Sequence, residues 1–205
     1  MHDYRLQPGQ VDAALVRAVA ARLAAGEVGI LPTETVDGLF CRYRDEAARE
    51  RIYRMKQREP RKPFQVMVAD LAGLTQLGVP VTPPLAALAA ACWPGPLTLV
   101  VPDCEGREHG VRIPDHPFLL AVLAQVGEPL GATSANLAGQ SPVASRATGH
   151  AELTAPPDFV VHGPAGAGAA STVVRLHADH LELLRAGPLA LDPLTALAFS
   201  TAHTP

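Results

Sequence analysis

Val28-Gly29-Ile30-Leu31-Pro32-Thr33-Glu34-Thr35-Val36-Asp37-Gly38-Leu39 decides the class of fold. Val28–Leu31 is apolar, too short for a helix, and ended by a proline, so it reads as a buried strand. The loop Thr33–Gly38 carries hydroxyls and carboxylates, and a second short apolar run follows it. A strand end that opens into a polar loop is where an α/β sheet places its ligands. Taken alone, the same loop also reads as a Ser/Thr turn whose hydroxyls satisfy their own backbone.

Outward from this stretch, strands and helices are intermixed. Upstream, Val11, Leu15, Ala18, Val19 and Leu23 recur at helical spacing, with Gly26 at the C-terminal cap. Downstream, Asp45 caps a helix running to about Arg58, with Ala48, Ile52 and Met55 inward and Arg51, Arg54 and Arg58 on another face. Phe64–Ala69 reads as a strand, followed by a helix capped by Asp70. Leu85–Trp93 is a buried helix, with Pro83 and Pro84 in its first turn. Leu97–Val101 and Gly110–Ile113 are strands around a polar turn. Asp115 starts a helix with Leu119, Leu120 and Leu123 inward, and Pro129–Thr133 and Phe159–His162 are further strands. Thr172–Leu176 and Leu181–Arg185 form a hairpin. Gly163–Ala170 is a low-complexity loop and a candidate lid, and residues 188–205 are an apolar, proline-containing tail. Mixing without strict alternation favours an α/β fold with a mixed sheet.

The chain has 205 residues, of which 48% are hydrophobic, and one domain of that size buries roughly 70% of its unfolded surface. We expect a single domain over 1–205. The net charge of −3 gives no global attraction to nucleic acid, yet nine of the seventeen Lys and Arg residues fall between Arg42 and Lys62. Such a cluster suits a compact anion, or is a solvated face neutralised by Asp45, Glu46, Glu50 and Glu59. Cys41, Cys92 and Cys104 lack the spacing of a disulfide framework or zinc site, which points to a reduced, cytoplasmic protein. Met1–Leu6 does not read as a signal peptide, and no apolar stretch is long enough for a bilayer.

Several motifs carry possible chemistry. Lys56 and Arg58, two residues apart at a helix end, can clamp a phosphate chain, although basic residues also suit the negative end of a helix. Thr133-Ser134-Ala135-Asn136-Leu137-Ala138-Gly139 follows a strand and lets backbone amides approach an anion, or forms an Asx-capped turn. Arg112 sits inside an apolar strand, where an arginine needs an anionic partner. Arg185 leaves a strand near Gly187. Trp93-Pro94-Gly95-Pro96 reads as a packing corner. His177 and His180 sit in an exposed turn, and no metal site is assigned.

The ordered set PTETVDGL (32–39), KQREPRKPF (56–64), WPGPLTLV (93–100), VRIPDHP (111–117), TSANLAG (133–139), STVV (171–174) and RAG (185–187) resembles the YrdC-like, threonylcarbamoyl-AMP synthase superfamily. The series covers about three-quarters of the chain, which resembles the short form of the family. The resemblance implies a twisted, mixed and largely antiparallel sheet flanked by helices, with a large basic cavity. It implies synthesis of L-threonylcarbamoyl-AMP from L-threonine, bicarbonate and ATP with Mg²⁺, releasing pyrophosphate, for tRNA modification. By matching position, Thr35, Arg112 and Ser171 would hold the amino acid. Lys56 and Arg58 would grip the ATP phosphates and serve catalysis, and Lys62, Ser134, Asn136 and Arg185 would complete the nucleotide site.

The pattern departs from the family at Asp37, where tyrosine is usual, at Lys62 for asparagine, and at Met67 for histidine. It also departs at Glu108 for a hydroxyl residue, at Ser141-Pro142, and at Arg175 for aspartate. These changes gather at the amino-acid end. They leave open a divergent, YciO-like paralogue with a changed acceptor. A double-stranded RNA-binding module without catalysis is the other alternative, and its affinity would fall steeply with salt.

Overall fold

The computed structural model describes residues 1–7, 9–57, 59, 63–136, 153–164 and 166–199. Its strands are β1 (His2–Arg5), β2 (Gly29–Leu31), β3 (Gly38–Arg42), β4 (Gln65–Met67), β5 (Leu97–Pro102), β6 (Glu108–Arg112), β7 (Leu130–Ser134), β8 (Phe159–His162), β9 (Thr172–Leu176) and β10 (Leu181–Arg185). The helices are α1 (Ala13–Ala24), α2 (Glu46–Lys56), α3 (Ala72–Gln76), α4 (Pro83–Cys92), α5 (Pro117–Val126) and α6 (Leu191–Phe199). The strands form one sheet in the order β1-β8-β2-β3-β7-β4-β6-β5-β9-β10. The pairs β1–β8, β2–β8, β4–β6 and β5–β9 are parallel and the others antiparallel, so the sheet is mixed along its whole width.

Side-chain alternation along the strands sorts the core into two faces. On one face, Ile30, Leu39, Cys41, Val66, Leu99, Val111 and Val174 pack under α2, α3, α4 and α6. On the other, Leu31, Phe40, Met67, Ala132 and Phe159 pack under α1 and α5. The second pair of helices covers only the β1-to-β4 half. Beyond it, the face formed by β6, β5 and β9 is left uncovered by helix among the described residues, and there the candidate site lies.

Local signals explain most element ends. Asp12 accepts hydrogen bonds from the amides of Ala14 and Leu15 at the start of α1, and Asp45 does the same for Ala48 in α2. Asp70 accepts from Gly73 before α3. Four expectations needed correction. His116, not Asp115, caps α5, its Nδ1 accepting from Leu119 N at 3.3 Å. The helix expected to reach Arg58 stops at Lys56, because Gln57 adopts a left-handed conformation at φ 49°. The apolar tail holds α6, whose Leu194 and Ala198 bury into the α4 cluster; Pro193 falls in its first turn, where proline is tolerated. Strand β1 was not anticipated, since its half-polar tetrapeptide carries no apolar run.

The β5–β6 turn is organised by Asp103. Its Oδ1 accepts from the amides of Glu105 and Arg107 at 2.9 Å each, and its Oδ2 meets Arg107 Nε at 2.8 Å and His109 Nε2 at 3.0 Å. The His109 contact, with the Arg107 and Glu105 bonds, holds the carboxyl well below the usual carboxylate range against the opposing effect of burial. A depressed folded-state value stabilises the fold above the unfolded-chain value of about 4, and that contribution fades as pH falls toward the folded value. Asp103→Asn is therefore expected to lower the thermal midpoint near neutral pH. The gap from the parent should narrow steadily when unfolding is followed from about pH 7 to about pH 2; a pH-independent gap would contradict this account.

Candidate active site

Register and alternation bring the polar residues of the uncovered face together. Met67 pairs with Arg112 across β4–β6, and Gln65 with Gly110. Thr98 pairs with Val173, and Val100 with Arg175, across β5–β9. These positions line a cavity of about 350 Å³, closed at one end by Thr33 and Thr35 and at another by Ser134.

Arg112 is 2% exposed and is the largest fully buried side chain among the described residues. Its Nε donates to Gly95 O at 3.0 Å, its Nη1 to Thr35 Oγ1 at 3.1 Å, and its Nη2 pairs closely with Glu34. Burial pushes the guanidinium below the usual arginine value, and Glu34 opposes that shift. The Trp93 corner contributes at this point. The indole packs and donates to Leu97 O at 2.8 Å, as expected of a packing corner, and Gly95 presents the carbonyl that Arg112 uses.

The 33–36 loop satisfies both of its readings. Thr33 Oγ1 accepts from the amides of Thr35 and Val36 and donates to Val36 O, so Thr33 serves its own turn. Thr35 is turned to Arg112. The described part of the glycine-rich loop lies across this turn, with Ala167 N donating to Glu34 O at 2.8 Å and Gly168 N to Thr35 O at 3.0 Å. A side chain on Gly166 would collide with the backbone at Thr33–Thr35, so glycine permits that approach.

Lys56 ends α2 with 2% exposure, and its Nζ donates closely to Ser134 O. Ser134 borders the cavity, whereas Lys56 and Asn136 are not among the residues that line it. Arg58, Lys62 and Leu137–Gly139 lie outside the described residues, as do Ser141 and Pro142. Within the basic cluster, Arg51 pairs with Asp158, Arg42 with Asp45 and Glu128, and Arg49 with Glu46. Three arginines of that cluster are therefore paired within the protein.

At the opposite wall Ser171 is 1% exposed. Arg185 donates to Ser171 O from Nε at 3.1 Å and from Nη2 at 2.9 Å, and from Nη2 to Ser171 Oγ at 3.0 Å. Partial burial, and then the charge of Arg112, hold Arg185 below the usual arginine value. Gln65 and Thr98 complete this wall and were not anticipated. Both are single polar residues at cavity-facing positions of otherwise apolar strands, a signal that only the sheet register makes readable.

The departures from the family pattern fall into three groups. Met67 places an apolar side chain beside Arg112. Glu108 and Arg175 are partners, joined at 2.7 Å over β5, with Glu182 on the far side of Arg175 at 2.5 Å. Asp37 does not line the cavity; its charge and that of Glu34 act on His116, whose imidazole is pushed down by burial.

Glu34 is the carboxylate that the Arg112 position requires. Removing one member of a buried ion pair leaves an uncompensated charge and costs about 3–5 kcal/mol, the lower figure applying to a partly exposed partner. Glu34→Ala is expected to lose about 3 kcal/mol in urea unfolding; a loss under about 1 kcal/mol would mean that water replaces the pair without penalty.

Comparison with known proteins accords with this geometry. A curated relative from Bacillus subtilis (strain 168), named threonylcarbamoyl-AMP synthase, is 34% identical over 194 residues, covering 89% of this chain and 56% of the relative. A relative of the same name from Xanthomonas euvesicatoria is 40% identical over 173 residues, covering 78% of this chain and 91% of the relative. The chain thus spans about half the length of the first and nine-tenths of the second. Sua5 of P. abyssi, solved in complex with L-threonine, superposes with a TM-score of 0.82 at 27% identity, over 96% of this chain and 60% of that one. The Sua5/YciO/YrdC family model, described as telomere recombination, matches residues 21–187, and the chain belongs to that family.

Proposed function

We propose that the chain synthesises L-threonylcarbamoyl-AMP from L-threonine, bicarbonate and ATP, releasing pyrophosphate, as a single catalytic domain in the cytoplasm that supplies tRNA modification. The observation that carries this reading is Arg112, a buried guanidinium held on three sides at the wall of a cavity that a second arginine, Arg185, shares. Threonine and ATP each bring an anionic group to such a cleft.

The amine of threonine and bicarbonate combine, with loss of water, to give the N-carboxy acid. One of its carbamate oxygens attacks the α-phosphorus of ATP, the new P–O bond forms, and pyrophosphate leaves. Arg112 offers its remaining N–H donors to the amino-acid carboxylate, with Thr35 beside it. Arg185, and Lys56 through Ser134, face the phosphates, and Ser171 is assigned with Thr35 and Arg112 to the amino acid. Arg58, Lys62 and Asn136 are assigned to the same nucleotide site. Because Thr35, Arg112, Ser171 and Arg185 are held by hydrogen bonds to one another before substrate arrives, the reactants are aligned and charge is stabilised without reorganisation at the moment of reaction.

Mg²⁺ is held chiefly by substrate phosphates and water in sites of this kind. That fits a cavity in which Glu34 and Glu108 are already bound to arginines, and no cluster of three metal-ligating residues stands among the described residues. When bound with the nucleotide, the ion neutralises developing phosphate charge.

Met67 beside Arg112 favours a second reading, in which the acceptor is an amino acid with a more apolar side chain.

Pyrophosphate release from purified protein with ATP, Mg²⁺ and bicarbonate is expected to depend on L-threonine. Release that follows another amino acid instead would establish the second reading, and release with none would sink both. Arg112→Lys keeps a charge but loses the planar fork, and is expected to raise the threonine KM by about tenfold or more while ATP affinity stays within about twofold. An equal loss for both ligands would remove Arg112 from the amino-acid end.

A further inference from the structure

We propose that Gln65 and Thr98 are positioning residues that turn the Ser171 hydroxyl into a fixed hydrogen-bond donor. Ser171 and Arg185 then form a joint seat for an anionic oxygen, of a phosphate or of a carboxylate. This rests on the reading that the cavity binds ATP and an amino acid, and it adds residues from two further strands.

The argument is one of donors and acceptors. Thr98 is 3% exposed, and its Oγ1 has two partners, Gln65 Nε2 in a close contact and Ser171 Oγ at 2.8 Å. With the side-chain amide of Gln65 assigned so that its nitrogen faces the hydroxyl, Thr98 accepts from it. The hydrogen of Thr98 must then go to Ser171, because a buried hydroxyl left unpaired costs free energy and Thr98 has no other acceptor among the described residues. Ser171 Oγ also accepts from Arg185 Nη2 at 3.0 Å, and Gln65 Nε2 stands 3.4 Å away. Both acceptor sites of the Ser171 oxygen are thereby filled. Its own hydrogen has no protein acceptor among the described residues, and Ser171 borders the cavity. The chain Gln65 to Thr98 to Ser171 therefore runs in one direction and ends on a hydroxyl hydrogen offered to the ligand beside the Arg185 guanidinium.

The arrangement also sets what the seat rejects. A ligand group that could only donate would meet a hydroxyl hydrogen and a guanidinium, both donors, with no acceptor to receive it. Gln65 and Thr98 act through Ser171 rather than on the ligand, so their effects must disappear when the Ser171 hydroxyl is gone.

The test is a double-mutant cycle on binding, measured by calorimetry with Mg²⁺-ATP and with L-threonine as separate titrants, alongside pyrophosphate release. Whichever titrant weakens on Ser171→Ala identifies the source of the anionic oxygen. For that titrant, Thr98→Val is expected to lose about tenfold in affinity, the scale of a hydrogen bond to a charged group. Thr98→Ser should restore it, and Thr98→Val in the Ser171→Ala background should cost nothing more. Gln65→Met, which removes the donor that sets the direction, should weaken the same titrant and serves as the test if Thr98→Val fails to fold. Losses that add independently of Ser171, or no loss on Ser171→Ala for either titrant, would overturn the proposal. The two readings fail separately. Parent protein that turns over with unaltered variants removes only the relay. Parent protein that binds ATP and shows the coupled losses, but releases no pyrophosphate with threonine, keeps the relay and removes the threonine reaction.

Discussion

Arg112 carries a full positive charge on a sheet strand with almost no access to water, and the surrounding architecture is arranged around that charge. An arginine so placed is stable only if its donors are met and its charge is balanced. Two segments distant in sequence supply those partners. The corner after α4 gives the Gly95 carbonyl, and the loop between β2 and β3 gives the Thr35 hydroxyl and the Glu34 carboxylate. The same loop is held by the Thr33 turn from within and by the 166–168 backbone from outside. The position of Arg112 therefore depends on the corner at Gly95, the 33–36 loop and the 166–168 backbone together.

The distribution of charge follows from the same constraint. Arg112 has Glu34, and Arg175 has Glu108 and Glu182, so these arginines are balanced inside the protein. Arg185 is different: among the described residues its partners are the carbonyl and hydroxyl of Ser171, which are neutral. Its repulsion from Arg112 leaves the cavity with an excess of positive potential at the wall opposite the 33–36 loop. A multiply charged anion such as a triphosphate relieves that excess, which is the electrostatic reason for assigning the nucleotide there.

Much of this was legible in the sequence. The apolar runs at 28–31 and 97–101, the cap at Asp45, and the 172–185 hairpin were all encoded locally, and the structure has them. Thr35, Arg112, Ser171 and Arg185 were identified from ordered motifs, and they converge on one cavity. What could not be read depends on register. Nothing local says that Glu34 rather than Asp37 faces Arg112, since both are acidic residues in one loop. Gln65 and Thr98 meet only because β4, β6, β5 and β9 are neighbours in the sheet, an order unrelated to their order in the chain. The pairing of Glu108 with Arg175 was likewise hidden. Each looks like an isolated departure until β5 is seen to lie between them. Helix α6 was masked by its composition, because proline and alanine in an apolar tail resemble a linker as much as a packed helix.

The central claim is that the cleft joins threonine, bicarbonate and ATP into one molecule. It is tested most directly by incubating the protein with ATP, Mg²⁺, L-threonine and ¹³C-bicarbonate, and analysing the nucleotide fraction by mass spectrometry and carbon NMR. The account predicts a ¹³C carbamoyl carbon attached through oxygen to the α-phosphate of AMP, formed only when threonine is present and lost in Arg112→Ala. Pyrophosphate release without label in the adenylate, or labelled product unaffected by Arg112→Ala, would contradict it.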